Sequence, residues 1–130
     1  MPISFEVDRE RRRVRTTAEG VVTVTDVAAH LEDLVEQGLE TYAELVDARQ
    51  ANRPGWYSAE VRKAADLITT LGGAARLGPR AVVVSRVAAF GMVRMLSMLI
   101  GSRLRLEVFR EVDAAEAWLN GASSLPDASA

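Results

Sequence analysis

Cysteine is absent from the 130 residues. That removes disulfides, thiolate metal sites and thiol nucleophiles together, and it makes a small stapled extracellular scaffold untenable. Histidine occurs once, at His30, so no histidine-rich metal site can form. Lysine also occurs once, at Lys63; the positive charge is otherwise arginine, which reads as codon bias and carries no functional implication. No apolar run approaches the roughly 20 residues that a membrane-spanning helix needs. Met1-Pro2-Ile3-Ser4-Phe5-Glu6 has neither the basic start nor the apolar stretch of a signal peptide, so a cytoplasmic location is the expectation. Charge of one sign is lacking too. Sixteen basic and 18 acidic residues leave a net charge of −2, which gives no general pull toward nucleic acid or anionic membrane. A nucleophile elbow, a Walker loop and a Gly-x-Gly-x-x-Gly turn are all missing. The expectation is a non-catalytic binding or regulatory module without a cofactor.

What is present describes one α/β domain. Hydrophobic residues make up 48% and charged residues 26%, a globular balance able to build a core at this length. Ile3, Phe5 and Val7 alternate with polar neighbours as a half-buried strand does. After a polar turn over 8–12, a second strand runs from Val14 to Glu19 and ends at Gly20, completing an antiparallel hairpin. Thr23 caps a helix over 24–37 whose apolar face is Val27, Leu31, Leu34 and Val35, with Gly38 as its stop. Glu44-Leu45-Val46-Asp47 reads as a short, mostly buried strand, followed by a polar loop over 49–57. Ser58 caps a second helix with the stripe Val61, Ala64, Ala65, Ile68 and Leu71, closed by Gly72-Gly73. Ala81-Val82-Val83-Val84 is a strand buried on both faces. A very apolar third helix spans 87–100, a fifth strand spans 104–109, and a final helix starts near Asp113 with Glu116 and ends at Gly121. The domain is expected to occupy 1–121, with 122–130 as a frayed tail. The order β-β-α-β-α-β-α-β-α implies right-handed crossovers and a mixed five-stranded sheet covered by about four helices.

That order resembles the STAS fold of the anti-sigma-factor antagonists, and more closely its SpoIIAA-like branch, also labelled STAS/SEC14-like. The residues that carry the resemblance are Leu45-Val46-Asp47-Ala48-Arg49, Gly78-Pro79-Arg80-Ala81-Val82-Val83-Val84, Phe90-Gly91-Met92-Val93-Arg94-Met95, Glu107-Val108-Phe109-Arg110 and Ala117-Trp118-Leu119. It spans most of the chain, largely in core patterns. In SpoIIAA-type antagonists the resemblance implies a phosphorylatable serine in an Asp-Ser motif after the third strand. Here that region reads Trp56-Tyr57-Ser58-Ala59-Glu60. Ser58 is the residue at a comparable place, and capping a helix already explains it. The SEC14 label implies lipid binding, although a domain this short lacks the cavity-forming body of those carriers.

Four constellations stand out. On the third helix Met92, Met95 and Met98, with Phe90 and Leu99, add a second apolar face to the stripe Ala89, Val93, Leu96 and Ile100. A surplus apolar face marks an interface, so homodimerisation or a protein partner is expected there. Beyond the carboxyl ends of the strands, Asp47, Arg49, Arg53, Trp56, Tyr57, Ser58, Ser85 and Arg86 form a candidate ligand pocket. A plain Asp47–Arg49 pair is the alternative. A small apolar or amphipathic ligand between the third helix and the Trp56-Tyr57 loop is the second functional expectation. His30, flanked by Asp26 and Asp33, reads as a surface histidine. The run Arg9-Glu10-Arg11-Arg12-Arg13 with Arg15 reads as a solvated edge rather than a nucleic-acid site, because no aromatic stacking platform adjoins it.

Overall fold

A computed structural model describes residues 2–52, 58–71, 77–101 and 104–124. Its elements follow the expected order: β1 (Ile3–Asp8), β2 (Arg13–Val21), α1 (Val24–Glu36), β3 (Ala43–Asn52), α2 (Ser58–Leu71), β4 (Arg80–Val83), α3 (Val87–Ile100), β5 (Leu106–Phe109) and α4 (Val112–Ser124). The five strands lie in chain order, β1-β2-β3-β4-β5. The β1–β2 pair is antiparallel and the other three pairs are parallel. Three successive right-handed crossovers in one direction place α1, α2 and α3 on the same face of the sheet. The opposite face is left to α4.

Side-chain alternation feeds both faces. Ala43, Leu45, Ala81 and Val83 pack with Ala115 and Leu119 of α4, and Phe109 and Trp118 meet there with ring centroids 5.9 Å apart. The intervening residues, including Val46, Ala48, Val82 and Val84, face α1–α3 together with Ala89 and Val93. Val14, Leu34, Leu39 and Tyr42 form a third cluster under α1. Arg13 and Arg15 fasten α4 across the sheet. Arg13 donates to Glu116 at 2.9 Å and to Asn120 at 2.9 Å, and Arg15 reaches Glu116 at 3.5 Å. Those two members of the arginine run are therefore structural ties rather than a solvated edge.

Several boundaries differ from the sequence reading. Strand β2 passes through Gly20, whose φ is +71°, to Val21, the two staying paired with Ala51 and Asn52 of β3. Strand β3 is ten residues long instead of four. It carries a bulge opposite β2: Thr17 pairs with Asp47 but Glu19 pairs with Gln50. The extra residue shifts the alternation, so Ala48 and Ala51 line the same space. Helix α1 begins as expected with a full capping box between Thr23 and Asp26. Val35, however, lies 38% exposed, and Val24 joins Leu31 and Leu34 in the buried set. Ser58 is already helical rather than the residue before the helix. Gly121 does not stop α4, which runs on to Ser124. Gly72-Gly73 and the end of the tail lie outside the described residues.

Candidate functional site

Helix α4 lies close against β3, β4 and β5, whereas α2 packs against α1 and α3 and stands off from the strands. Small side chains facing the gap, Ala18, Ala48 and Ala51 from the sheet and Ala64 from α2 itself, leave it unfilled. The result is a partly open cavity of about 170 Å³ between the sheet and helices α1, α2 and α3. Its floor includes Val46, Val82 and Leu106, and its roof includes Leu31, Ile68, Met92 and Leu96. The lining is apolar except at one corner. There Thr16, His30, Glu44 and Arg80 meet.

That corner is built by the parallel register, which sets Glu44 of β3 directly beside Arg80 of β4. Both are buried, at 3% and 5% exposure. The Arg80 Nε lies 3.3 Å from Glu44 Oε1. Its Nη1 donates to the carbonyls of Tyr42 at 3.0 Å and Gly78 at 2.7 Å. Gly78 is required at that position, since a Cβ would press on the carbonyls of Thr41 and Tyr42. His30 Nε2 donates to Glu44 Oε2 at 2.6 Å, and the Thr16 hydroxyl donates to the same oxygen. Phe5 holds the imidazole edge-on, with centroids 5.4 Å apart. Burial pushes the Glu44 carboxyl up, but the His30 hydrogen bond, the Arg80 and His30 charges and the Thr16 hydroxyl outweigh it. The net result holds the carboxyl at about 2. Burial lowers the Arg80 value, opposed by Glu44 and Glu40. An arginine nonetheless stays charged. Among the described residues, Arg80 Nη2 and Glu40 Oε2 are both buried without a hydrogen-bond partner.

His30 is thus no surface histidine. Its side chain is 12% exposed and it pairs with Glu44 across 14 residues instead of with Asp26 or Asp33. Periodicity placed it at the border of the apolar face of α1 but did not reveal the carboxylate waiting on β3. Thr16, Glu44 and Arg80 were not singled out as site residues. A signal was there: two opposite charges, each heading an apolar β run, Glu44-Leu45-Val46 and Arg80-Ala81-Val82-Val83.

The candidate pocket at the strand ends divides differently. Asp47 and Arg49 form a two-pronged ion pair at 2.9 and 2.7 Å. The Arg49 hydrogen bond is the main cause holding the Asp47 carboxyl below its usual range. Ser85 Oγ donates to the Arg49 carbonyl at 3.0 Å, and Arg110 donates to the Ser85 carbonyl at 2.9 Å. The exposed Arg86 precedes α3 and makes no side-chain cap. Asp47, Arg49, Ser85 and Arg86 are not among the described lining of the cavity. Arg53, Trp56, Tyr57 and the Ser58 side chain lie outside the described residues.

The α3 constellation splits by orientation. Met92 lines the cavity, and Phe90 packs beside it against the core. Met95 is half-buried. Met98 and Leu99 face outward at 75% and 40% exposure, joined by Val87 at 76%. Among the described residues, no group of three or more His, Asp or Glu side chains is placed to hold a metal ion. No helix among them is long and apolar enough to cross a membrane.

With this architecture in place, comparison with solved structures defines the class. A protein of the DUF3478 family from Shewanella loihica PV-4, described as uncharacterised and as having a SpoIIAA-like fold, superposes with a TM-score of 0.61. It does so at 17% identity, over 90% of this chain and 93% of that one. The fold of this chain is therefore SpoIIAA-like, in agreement with the resemblance carried by its strand and helix motifs. A second structure, Mglu, overlays at a TM-score of 0.32 and 18% identity on 82% of this chain but 19% of its own length, and carries no argument. No protein-family model and no curated protein matches the sequence.

Proposed function

We propose that this SpoIIAA-like domain is a non-catalytic binding module whose partly open cavity receives a small, predominantly apolar molecule. The observation that carries the reading is the cavity of about 170 Å³ under α2, walled by apolar side chains apart from one corner. An engineered apolar cavity of about 150 Å³ binds benzene, so the space suits a ring or a short branched chain. Sites for drug-sized ligands run from about 300 Å³ upward. The size therefore argues against an extended lipid chain.

The test is a benzene titration followed by the methyl NMR resonances of Val46, Val82 and Val93, with the thermal midpoint measured alongside. Benzene is expected to shift those methyls and raise the midpoint, since a ligand at a hundred times its Kd adds about 2.7 kcal/mol. Ala64 is almost fully buried and lines the cavity. Ala64→Leu should fill the space, abolish the benzene response and leave the domain folded. Unmoved methyl resonances in the wild type would remove the basis for this function.

A second reading, self-association or docking of a protein partner through α3, is supported by the outward set Val87, Met98 and Leu99. Apolar side chains left in water on one helix face are a common mark of an interface. The two readings are compatible, because the opposite side of α3 roofs the cavity through Met92, Val93 and Leu96.

A further inference from the structure

The two edges of the sheet are finished differently. At one edge β5 is only four residues long, and the Ser97 hydroxyl donates to its Leu106 carbonyl at 2.8 Å. At the other edge β1 is six residues long, with no proline or lysine within it and an unbroken register against β2. The usual guards against further strand pairing are proline, lysine and bulges, and β1 lacks all three. The Glu19 N–H donates to the Pro2 carbonyl, which makes those two residues a hydrogen-bonded pair. Such pairs alternate along an antiparallel ladder. Ser4, Glu6 and Asp8 therefore bond to β2, while Ile3, Phe5 and Val7 turn their N–H and C=O groups outward. None of these six groups has a hydrogen-bond partner among the described residues.

The side chains decide what can pair there. Toward α1, Ile3, Phe5 and Val7 are half-buried, and a groove of about 40 Å³ between β1 and α1 is lined by Ile3, Phe5, Ala29 and His30, with Asp26 and Asp33. On the opposite face Glu6 and Asp8 are exposed. The residues across from them on β2, Arg15 and Arg13, are turned to Glu116 and Asn120 of α4. Glu6, Asp8, Asp26 and Asp33 thus form no ion pair among the described residues. Pairing two copies of β1 would gather Glu6, Asp8 and their symmetry mates on one face, and like charges across strands repel. A basic strand meets the opposite situation. We propose that the β1 edge takes up, antiparallel, an extended segment of a partner protein in which apolar residues alternate with arginine or lysine. Its apolar residues lie opposite Ile3, Phe5 and Val7 and continue the layer under α1. Its basic residues lie opposite Ser4, Glu6 and Asp8. Main-chain bonds supply affinity and the alternating side chains supply specificity. The site needs neither the cavity nor the exposed face of α3.

The experiment uses the intact chain and three short capped peptides: alternating valine and arginine, alternating valine and glutamate, and the valine–arginine peptide N-methylated at its valines. Titration of the first, followed by amide NMR, is expected to move the Ile3, Phe5 and Val7 N–H resonances downfield and to slow their exchange with solvent. The glutamate peptide should bind about tenfold or more weakly by comparison. The methylated peptide keeps its charge but loses the N–H groups that face β1, and it should leave the three amides unmoved. Glu6→Lys alters an exposed side chain; it should weaken the valine–arginine peptide by about threefold to tenfold and strengthen the glutamate peptide. Equal binding of the methylated peptide would show plain ionic attraction and overturn strand addition. Binding that shifts other residues but not these amides would overturn β1 as the site, and failure of the valine–arginine peptide to bind would overturn the proposal outright. Edge amides already protected in a peptide-free protein that sediments as a dimer would make the occupant a second copy, and the basic partner would fall.

Discussion

Replacing Glu44 with glutamine would leave the buried Arg80 guanidinium without its counter-charge and turn one of the two acceptor oxygens, shared by Arg80 on one side and by His30 and Thr16 on the other, into an NH2 donor. Breaking one partner of a buried pair costs about 3–5 kcal/mol, so chemical denaturation of Glu44→Gln should show a loss of that size. The same carboxylate sets the acid limit of the fold. Its value falls from 4.5 to about 2 on folding. A depressed carboxyl stabilises the native state fully above its unfolded value, and that stability is lost as pH falls through the folded one. Unfolding free energy should therefore decline between pH 4.5 and about 2 by on the order of 3 kcal/mol, and Glu44→Gln should flatten this decline. A wild-type profile without it would remove the buried pair from the account. Little of this was legible in the sequence. His30, Glu44 and Arg80 are separated by 14 and 36 positions; the parallel register sets Glu44 beside Arg80, and the packing of α1 brings His30 to them.

Helix α1 is the element whose local code and structure agree best. The Thr23 hydroxyl accepts from the Asp26 N–H and the Asp26 carboxylate accepts from the Thr23 N–H. Thr23→Ala should cost about 1 kcal/mol of thermal stability. Helix α3 shows where periodicity stops being informative. Its residues are apolar nearly all round, so the sequence marked a surplus face but could not say which methionine was outside. Packing on the sheet turns Met92 inward and Met98 outward. The partner reading accordingly predicts that Met98→Glu lowers the sedimentation coefficient of any assembly without changing the circular dichroism spectrum. Gly91 provides a companion test on the exposed side of the same helix. A Cβ there meets nothing within 4 Å in the single chain, so Gly91→Ala should stabilise a monomer by up to about 1 kcal/mol. Loss of self-association in that variant would instead place the Gly91 backbone against a neighbour. A sedimentation coefficient unmoved by both substitutions would count against an interface on α3.

At the scale of the whole molecule, the element order, the mixed sheet and its helices followed from alternating and helical periodicities together with the handedness of crossovers. The cavity did not. It arises because α2 stands off from the sheet over several alanines, and no short-range pattern encodes the height of one layer above another. The bulge in β3 escaped notice for a similar reason, since it exists only as a mismatch with β2.

The strictly sequential strand order has a consequence for how the chain meets itself as it is made. Every strand after the first finds its sheet neighbour already present in the strand before it. The sheet can grow by accretion, each crossover helix settling on the same face as the last. Its other face stays bare until α4 packs on it, when Glu116 and Asn120 reach Arg13 of β2. Helix α4 is thus the clasp on that face, and a chain halted before it would display Leu45, Ala81 and Val83 to whatever apolar surface is near.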